Sequence, residues 1–297
     1  MSGAGVQRVR GPHGTVVVKA GVGGRELGVY TRLAPVLEDA GIRVPRCLGA
    51  HTEQDTTWLV LEDLPMPLPR ERWGADADVL ETLRSLHALS PDVVTAEIEP
   101  FRPRWNDAMT ATTATRLGLS TAARQTLSAG LSAAGSLFDS GTVISADPNP
   151  LNWAIAADGR VTLMDWDRIG LGHPAIDLAI ALPGLPSPGE ASRMVAAYDA
   201  PVAGSDSPEV SPAEVLLAKA WTVVVRRRGE SRPGRSRRSG QRISRRCLGG
   251  LVRALARLIG RASAPVIAEK ARSQVHRAIH AHRILTFVGI AVGLPTQ

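Results

Sequence analysis

The sequence predicts an α+β protein in which a small, strand-rich N-terminal unit precedes a larger and mostly helical region. Short apolar runs separated by turn residues fill the first 64 residues. After a Pro-rich stretch at residues 65–71, apolar residues recur mainly at helical spacing. The chain of 297 residues is long enough for two domains. We therefore expect one unit over residues 1–64 and a second over residues 65–297.

The N-terminal unit should contain four strands and one helix. Residues 6–10 and 15–20 flank a Gly-Pro-His-Gly turn, and two more apolar runs lie within residues 44–53 and 56–64. Between these pairs of strands, apolar side chains recur every three or four residues and predict a helix that stops at Gly41. The residues that mark this helix are Leu27, Tyr30, Leu33 and Leu37.

The remainder reads as helices with one interruption. Periodicity and composition predict one helix over residues 76–90, two over 106–139, and others over 174–198, 212–225 and 248–292 with breaks. Short apolar strands interrupt this order at residues 143–164. Residues 226–246 are an Arg/Ser/Gly-rich insert with almost no apolar side chains, so we expect a flexible loop there.

The positive charge of the chain is concentrated in that insert. It holds ten Arg and one Glu, which exceeds the +7 of the whole chain and leaves the rest slightly acidic. Polyanion binding is one interpretation of such a cluster. However, the insert has no aromatic residues for base stacking, and a solvated basic loop is the simpler explanation. Nucleic acid is therefore an unlikely partner, and the sequence does not indicate an oligomeric state.

No segment has the features of a membrane span or a signal peptide. The longest apolar tract, at residues 284–295, is broken by Gly and Pro and is shorter than the roughly 18 residues a span requires. Cys47 and Cys247 lack metal-ligand spacing and form no disulfide framework. We expect a cytoplasmic protein.

Residues 143–170 carry the strongest chemical signal. A short apolar strand leads into Asp147, Pro148 and Pro150 stiffen the loop that follows, and Asn152 begins a hairpin whose turn is Asp158-Gly159. Asp165 lies where the returning strand ends. Because a hairpin brings its ends together, Asn152 and Asp165 should be neighbours, with Asp147 on the same loop. A single Asp or Asn is typical of turns, but this set of oxygen ligands suits Mg²⁺.

The combined pattern resembles a known family. Asp-x₄-Asn followed by a strand and Asp resembles the catalytic loop and metal-binding Asp of the protein-kinase-like fold. The continuation MDWDRIGLGHPAIDLA is similar to the aminoglycoside phosphotransferase/choline kinase family of small-molecule kinases. The resemblance covers about the first 200 residues. It implies a two-lobed fold and an ATP- and Mg²⁺-dependent phosphotransferase with an alcohol group of a small molecule as acceptor.

The resemblance implies roles for individual residues of the large lobe. Asp147 would be the catalytic base, and Asn152 and Asp165 would hold Mg²⁺. Asp167 would assist a second metal ion or contact the substrate. Asp177 would tie a helix start to the catalytic loop, whereas His87 fits packing better than chemistry.

The small lobe should then anchor the nucleotide. Lys19 ends an apolar strand, where the family has its phosphate-pairing lysine, and Glu26 in the next helix would be its ion-pair partner. Taken alone, a Lys at a strand end is usually a solvated charge. The stretch Glu62, Asp63 and Leu64 would bind adenine through backbone groups.

The resemblance is incomplete in three places. Ser145 stands where the family usually has a His that supports the loop. The basic insert stands where the family has substrate-binding helices. If residues 6–10 and 15–20 are the second and third strands of the kinase sheet, the first strand would precede residue 1, and only residues 2–5 remain of the glycine-rich loop over the phosphates. We therefore expect an incomplete N-terminus or weak nucleotide binding. The alternative to an enzyme is a pseudokinase, a nucleotide-binding or regulatory protein without turnover. The sequence does not identify the acceptor.

Overall fold

A computed structural model describes residues 5–12, 14–199 and 209–229 of the chain, the last four of these by backbone only. All of them belong to one compact unit, Met1–Leu255. The predicted α+β composition is confirmed, with strands concentrated near the N-terminus and helices after them. The boundary between residues 1–64 and 65–297 stays a prediction. Within the described ranges, no helix is both long and apolar enough to span a bilayer.

The strands fall into a long N-terminal group and a short later group. In chain order they are β1 (Gly5–Gly11), β2 (Gly14–Ala20), β3 (Cys47–Glu53), β4 (Thr56–Glu62), β5 (Met66–Pro67), β6 (Val143–Ile144), β7 (Trp153–Ile155), β8 (Val161–Leu163) and β9 (Gly170–Leu171).

The described helices follow the predicted order with two differences: the helix at Pro91–Glu97 was not predicted, and residues 106–139 contain three helices instead of two. In chain order they are α1 (Gly24–Gly28), α2 (Ala34–Asp39), α3 (Ala77–His87), α4 (Pro91–Glu97), α5 (Asp107–Leu117), α6 (Thr121–Ala133), α7 (Gly135–Asp139), α8 (Ala175–Ala181), α9 (Pro188–Tyr198) and α10 (Pro212–Gly229).

The first four strands form one antiparallel sheet in the order β1-β2-β4-β3. The predicted turn joins β1 to β2, because Gly11 pairs with Gly14. Strand β2 is central, and its Lys19 lies opposite Leu59 of β4. This register places Lys19 beside a fully buried residue of the neighbouring strand.

The predicted single helix before Gly41 is present but not regular. A π-helical segment, Val29–Leu33, joins α1 to α2, so the helical turn widens between them. Such bulges are rare and occur often at functional sites. Gly41 adopts φ +80°, which a Gly tolerates at a helix end, and it terminates the helix as predicted.

The later strands form the predicted hairpin and two smaller pairings. Strands β7 and β8 pair antiparallel, and Gly159 of the predicted turn has φ +83°. Strand β5 extends this sheet, and β6 pairs with β9. Strand β8 of the hairpin packs against helix α3. Trp153 and Leu163 of the hairpin are buried.

The predictions for the C-terminal half concern the Arg-rich insert and the helices after it. Helix α10 continues to Gly229, so residues 226–229 of the Arg-rich insert are helical and that part of the loop prediction is wrong. Arg is a good helix former, and positive charge near a helix C-terminus is favourable. The rest of the insert and the helices predicted over 248–292 lie outside the described residues.

Candidate active site

Lys19 is the centre of a cluster of charges. Its Nζ atom donates to Glu26 Oε1 at 2.6 Å and to Asp165 Oδ1 at 2.8 Å. The sheet supplies Lys19, helix α1 supplies Glu26, and the end of the β7–β8 hairpin supplies Asp165. The structure therefore brings together three residues that the sequence placed in one site.

The charges within this cluster depend on one another. Burial would lower the pKa of Lys19, but the carboxylates of Glu26 and Asp165 outweigh burial and raise it above its ordinary value. The side chain of Lys19 therefore carries a positive charge at neutral pH. Burial is also the largest influence on Glu26, and it raises the pKa of that carboxyl despite the opposing effect of Lys19. Only 2% of Glu26 is exposed to solvent, and its carboxylate forms an ion pair with Lys19.

Asp165 has an unusual backbone conformation. It lies at φ 60° and ψ 68°, in the left-handed region, two residues after the end of β8. Non-glycine residues with positive φ are uncommon and cluster at functional sites. Its side chain is 47% exposed although it binds Lys19, so the carboxylate remains accessible to a ligand.

The loop before the hairpin holds Asp147 and Asn152 in fixed relation. Asn152 Nδ2 donates to the Asp147 carbonyl oxygen at 2.9 Å, and Trp153 Nε1 donates to the Pro148 carbonyl at 3.2 Å. The Met164 amide donates to the Asn152 carbonyl at 2.7 Å. Asn152 and Asp165 thus flank the open end of the hairpin, as the sequence predicted.

Asp177 supports the same loop from α8. Its Oδ2 and Oδ1 atoms accept hydrogen bonds from the amides of Ser145 and Ala146, both at 2.8 Å. Ala146 has φ 54°, so this carboxylate holds a strained residue immediately before Asp147. The expected tie between Asp177 and the loop is present.

Ser145 occupies a buried position in this loop. It is 1% exposed, and its Oγ atom accepts a hydrogen bond of 3.4 Å from the Asp147 amide. A small hydroxyl therefore contacts the backbone of the residue whose position it must support. The loop keeps a local hydrogen bond although a His is absent.

Asp167 lies beside Gly23, the residue that precedes α1. A Cβ atom on Gly23 would be 3.4 Å from Asp167 Oδ1, in van der Waals contact with the carboxylate. Arg25 Nη1 donates to the Asp167 carbonyl at 2.9 Å, and Arg25 Nε donates to the Glu99 carbonyl at 2.7 Å. The sequence missed Arg25, because its two acceptors are backbone atoms far along the chain.

Several groups of the predicted adenine-binding stretch already bind other residues of the protein. The Glu62 carboxylate binds Arg43 Nη2 at 2.6 Å, and the Glu62 amide donates to the Arg46 carbonyl at 2.9 Å. Asp63 pairs with Arg8 at 2.9 Å, and Leu64 packs in a small apolar cluster. A backbone contact from the Glu62 amide is therefore excluded, and a base would have to use another backbone atom of this stretch.

Tyr30, like Arg25, was not predicted as a site residue. The sequence indicated only that it lies in a helix. It lies in the π-helical segment four residues after Glu26 and is 4% exposed. Burial, followed by the charges of Glu26 and Asp165, raises the pKa of its phenol well above the ordinary value. The i, i+4 spacing from Glu26 was the signal that could have identified it.

The oxygen atoms of this site fit a hard divalent cation. Among the described residues, no group of three or more His, Cys, Asp or Glu side chains is arranged to hold a metal. Mg²⁺ does not require one, because it keeps several waters and uses one or two carboxylates. The half-exposed Asp165 carboxylate and the Asn152 amide oxygen match that requirement. Their role as ligands stays a prediction.

The sequence matches the model of one protein family, described as "Phosphotransferase enzyme family", over residues 8–212. This range includes all the residues of the candidate active site. No curated protein matches the chain.

Solved structures show the same fold at low sequence identity. Spectinomycin phosphotransferase APH(9)-Ia, in complex with ADP and spectinomycin, aligns with a TM-score of 0.54 and 13% identity over 89% of this chain and 90% of that one. Choline kinase LicA from Streptococcus pneumoniae aligns with a TM-score of 0.52 and 16% identity over 85% and 89% of the two chains. The predicted protein-kinase-like fold is thereby confirmed.

Proposed function

The chain belongs to the phosphotransferase enzyme family, and from this premise we propose that it transfers the γ-phosphate of ATP to a hydroxyl of a small molecule with the help of Mg²⁺. The observation that carries the proposal is the bridging position of Lys19 between Glu26 and Asp165. In kinase-like enzymes the corresponding lysine, glutamate and aspartate must be assembled for phosphoryl transfer.

Lys19 is suited to anchor the phosphates of the nucleotide. Its raised pKa keeps the ammonium charged throughout the neutral range. Glu26 orients it from the buried side of the cluster, so the lysine can exchange Asp165 for a phosphate oxygen without losing its internal partner. A structurally similar phosphotransferase is described in complex with ADP, which supports nucleotide binding by a protein of this fold.

Asp165 and Asn152 would hold Mg²⁺ through a carboxylate and an amide oxygen. The metal ion, when bound, neutralises charge on the phosphate oxygens. The bond from Asn152 Nδ2 to the Asp147 carbonyl fixes which end of the amide is left for this purpose. Asp167, next to Gly23, is a candidate for a second ion or a substrate contact.

Asp147 is proposed to accept the proton of the attacking hydroxyl on its carboxylate. It follows the Ser145–Ala146 backbone that Asp177 holds, so its position is set by a buried support. Phosphoryl transfer depends mainly on positioning and charge. A base on a stiff loop would orient the acceptor oxygen toward the γ-phosphorus and accept its proton. The new O–P bond forms as the bond from the γ-phosphorus to the bridging oxygen breaks, and ADP leaves.

The acceptor is proposed to be a small hydroxylated molecule. Two structurally similar proteins are named for choline and spectinomycin, which are both small alcohols. The alternative, a nucleotide-binding protein without turnover, has Ser145 in its favour. The assembled Lys19–Glu26–Asp165 cluster argues against it.

The test is a screen of the full chain with Mg²⁺-ATP over aminoglycosides, macrolides, sugars, amino alcohols and amino acids. ADP release and the mass of the phosphorylated product are both measured. We expect turnover with one acceptor class, lowered by about 10²–10⁴ in Asp147→Asn. Asp158→Asn, the same change in an exposed hairpin turn, is the matched control. Tight Mg²⁺-ATP binding without turnover on any acceptor would favour the pseudokinase.

A further inference from the structure

A buried chain of hydrogen bonds runs from helix α9 to the catalytic loop. Tyr198 OH lies 2.8 Å from His87 Nδ1, and His87 Nε2 lies 3.1 Å from Asp177 Oδ2. Tyr198 is 1% exposed and the side chains of His87 and Asp177 are fully buried. Three helices, α9, α3 and α8, each contribute one member.

The chemistry of the three groups sets the direction of these bonds. The Asp177 carboxylate already accepts two backbone amides, and an ionised carboxylate can only accept. His87 Nε2 must therefore be the donor. In the neutral imidazole Nδ1 is then an acceptor, and the Tyr198 hydroxyl donates to it. The Tyr198 hydroxyl thus supports the tautomer in which His87 donates to Asp177.

Through its carboxylate, Asp177 links the orientation of His87 to the backbone of the residues before Asp147. Its Oδ2 atom is shared between His87 and the Ser145 amide, while Oδ1 holds the amide of the strained Ala146. A change in the orientation of His87 moves the same oxygen that holds Ser145. We propose that Tyr198 is a positioning residue for phosphoryl transfer, acting through His87 and Asp177 on the catalytic loop.

The position of Tyr198 is itself fixed by α3. Arg84 Nε donates to the Tyr198 carbonyl at 3.0 Å, one helical turn before His87. The His87 and Tyr198 rings are 5.7 Å apart with a tilt of 57°. Helix α3 therefore holds both the backbone and the hydroxyl of Tyr198, and the C-terminal end of α9 is coupled to the loop that carries Asp147.

The effect on turnover rests on the proposed function, but the effect on the loop does not. The first measurement is therefore amide hydrogen exchange at Ser145 and Ala146 by NMR, in wild type and in Tyr198→Phe. Phe keeps the buried ring and removes only the hydroxyl. We expect these two amides to exchange about tenfold faster in the variant, because local opening becomes easier. Unchanged exchange at both would overturn the proposal.

A double-mutant cycle distinguishes this route from packing. His87→Gln keeps a donor for Asp177 but has no equivalent of Nδ1. In that background Tyr198→Phe should produce no further increase in exchange at Ser145 and Ala146. A full additional increase would show that Tyr198 acts without His87 and would overturn the proposal.

The matched control is Thr110→Val in α5. Thr110 is also buried, and its hydroxyl accepts a bond of 2.8 Å from an aromatic ring nitrogen, Trp105 Nε1. Exchange at Ser145 and Ala146 should be unchanged in this variant. An equal acceleration there would mean that any lost buried hydroxyl loosens the loop.

The activity measurement uses the acceptor found in the screen. Tyr198→Phe should lower kcat about three- to tenfold while KM for Mg²⁺-ATP stays unchanged, since only the placement of Asp147 is altered. Unchanged kcat despite faster exchange would overturn the catalytic part of the proposal. A wild-type protein that turns over no acceptor would instead contradict the proposed function, and the exchange measurements would still decide the structural part.

Discussion

Lys19 Nζ lies 2.8 Å from Asp165 Oδ1, although 146 residues separate the two positions in the sequence. The contact joins the N-terminal sheet to the end of the β7–β8 hairpin. Glu26 completes the cluster at 2.6 Å. The resulting arrangement has one cation between a buried carboxylate and a half-exposed one, so a ligand can compete only for the exposed side.

Replacing Lys19 should weaken nucleotide binding. Lys19→Ala removes the charge that the proposed function assigns to the phosphates, and we expect Mg²⁺-ATP affinity to fall by about ten- to a hundredfold, equivalent to one or two lost charged hydrogen bonds. Isothermal titration calorimetry measures the change. Arg10→Ala, which removes an exposed cation from strand β1, should leave the affinity unchanged. Equal losses in both variants would contradict a specific role for Lys19.

Asp147 and Asp165 should separate turnover from binding. Asp147→Asn keeps the side-chain shape but removes the base, so kcat should fall by about 10²–10⁴ with nucleotide affinity nearly unchanged. Asp165→Asn removes a proposed metal ligand, so Mg²⁺-ATP affinity should fall as well. Calorimetry and steady-state kinetics on both variants check this difference. Near wild-type turnover in Asp147→Asn would contradict its assigned role.

The ion pairs of Glu62 should make part of the stability depend on pH. Burial would raise the pKa of Glu62, but hydrogen bonds from the Arg46 amide and from Arg43, with their charges, lower it below the ordinary 4.5. The pairs therefore stabilise the fold fully above pH 4.5, and this contribution is lost as the pH falls through the lowered pKa.

The measurement uses Glu62→Gln, which cannot ionise. The variant should be less stable than wild type by about 1–3 kcal/mol at pH 7, and the difference should shrink as the pH falls below 4.5. Urea unfolding at several pH values measures both quantities. A difference that stays constant down to pH 3 would show that charge at Glu62 is not its source.

Gly170 should not tolerate a side chain. A Cβ atom there would lie 1.9 Å from the Phe101 carbonyl oxygen and 2.6 Å from its carbonyl carbon. We expect Gly170→Ala to lower the free energy of unfolding by more than about 2 kcal/mol, since two backbone segments must separate. Gly135→Ala, where no atom lies within 4 Å of the new Cβ, is the control for denaturant unfolding.

Local signals in the sequence predicted the geometry of part of the proposed site, and the family resemblance supplied the roles of its residues. The Asp158-Gly159 turn predicts the hairpin, and the hairpin places Asn152 beside Asp165. The apolar strand that ends at Lys19 predicts its place in the sheet. These predictions succeeded because each depends on a short stretch whose geometry its own residues determine.

Other features could not be predicted because they depend on distant partners. Arg25 and Tyr198 bind atoms of residues far along the chain, and neither has a local motif. The π-helical segment at Val29–Leu33 has no distinctive composition. The Glu62 carboxylate was not predicted to bind Arg43, since nothing in residues 62–64 indicates where that arginine lies.

The two hydrogen bonds from Arg25 to backbone carbonyl oxygens reduce the conformational entropy that the site still has to lose when a ligand binds. Arg25 precedes Glu26, and its guanidinium binds the Asp167 carbonyl, 142 residues away, and the Glu99 carbonyl. The helix that carries Glu26 and the segment that carries Asp165 are therefore ordered together when the chain folds. The conformational freedom of these groups is lost before any substrate arrives. More of the binding free energy of a nucleotide is then available to orient its phosphates, which is the advantage of a preorganised site.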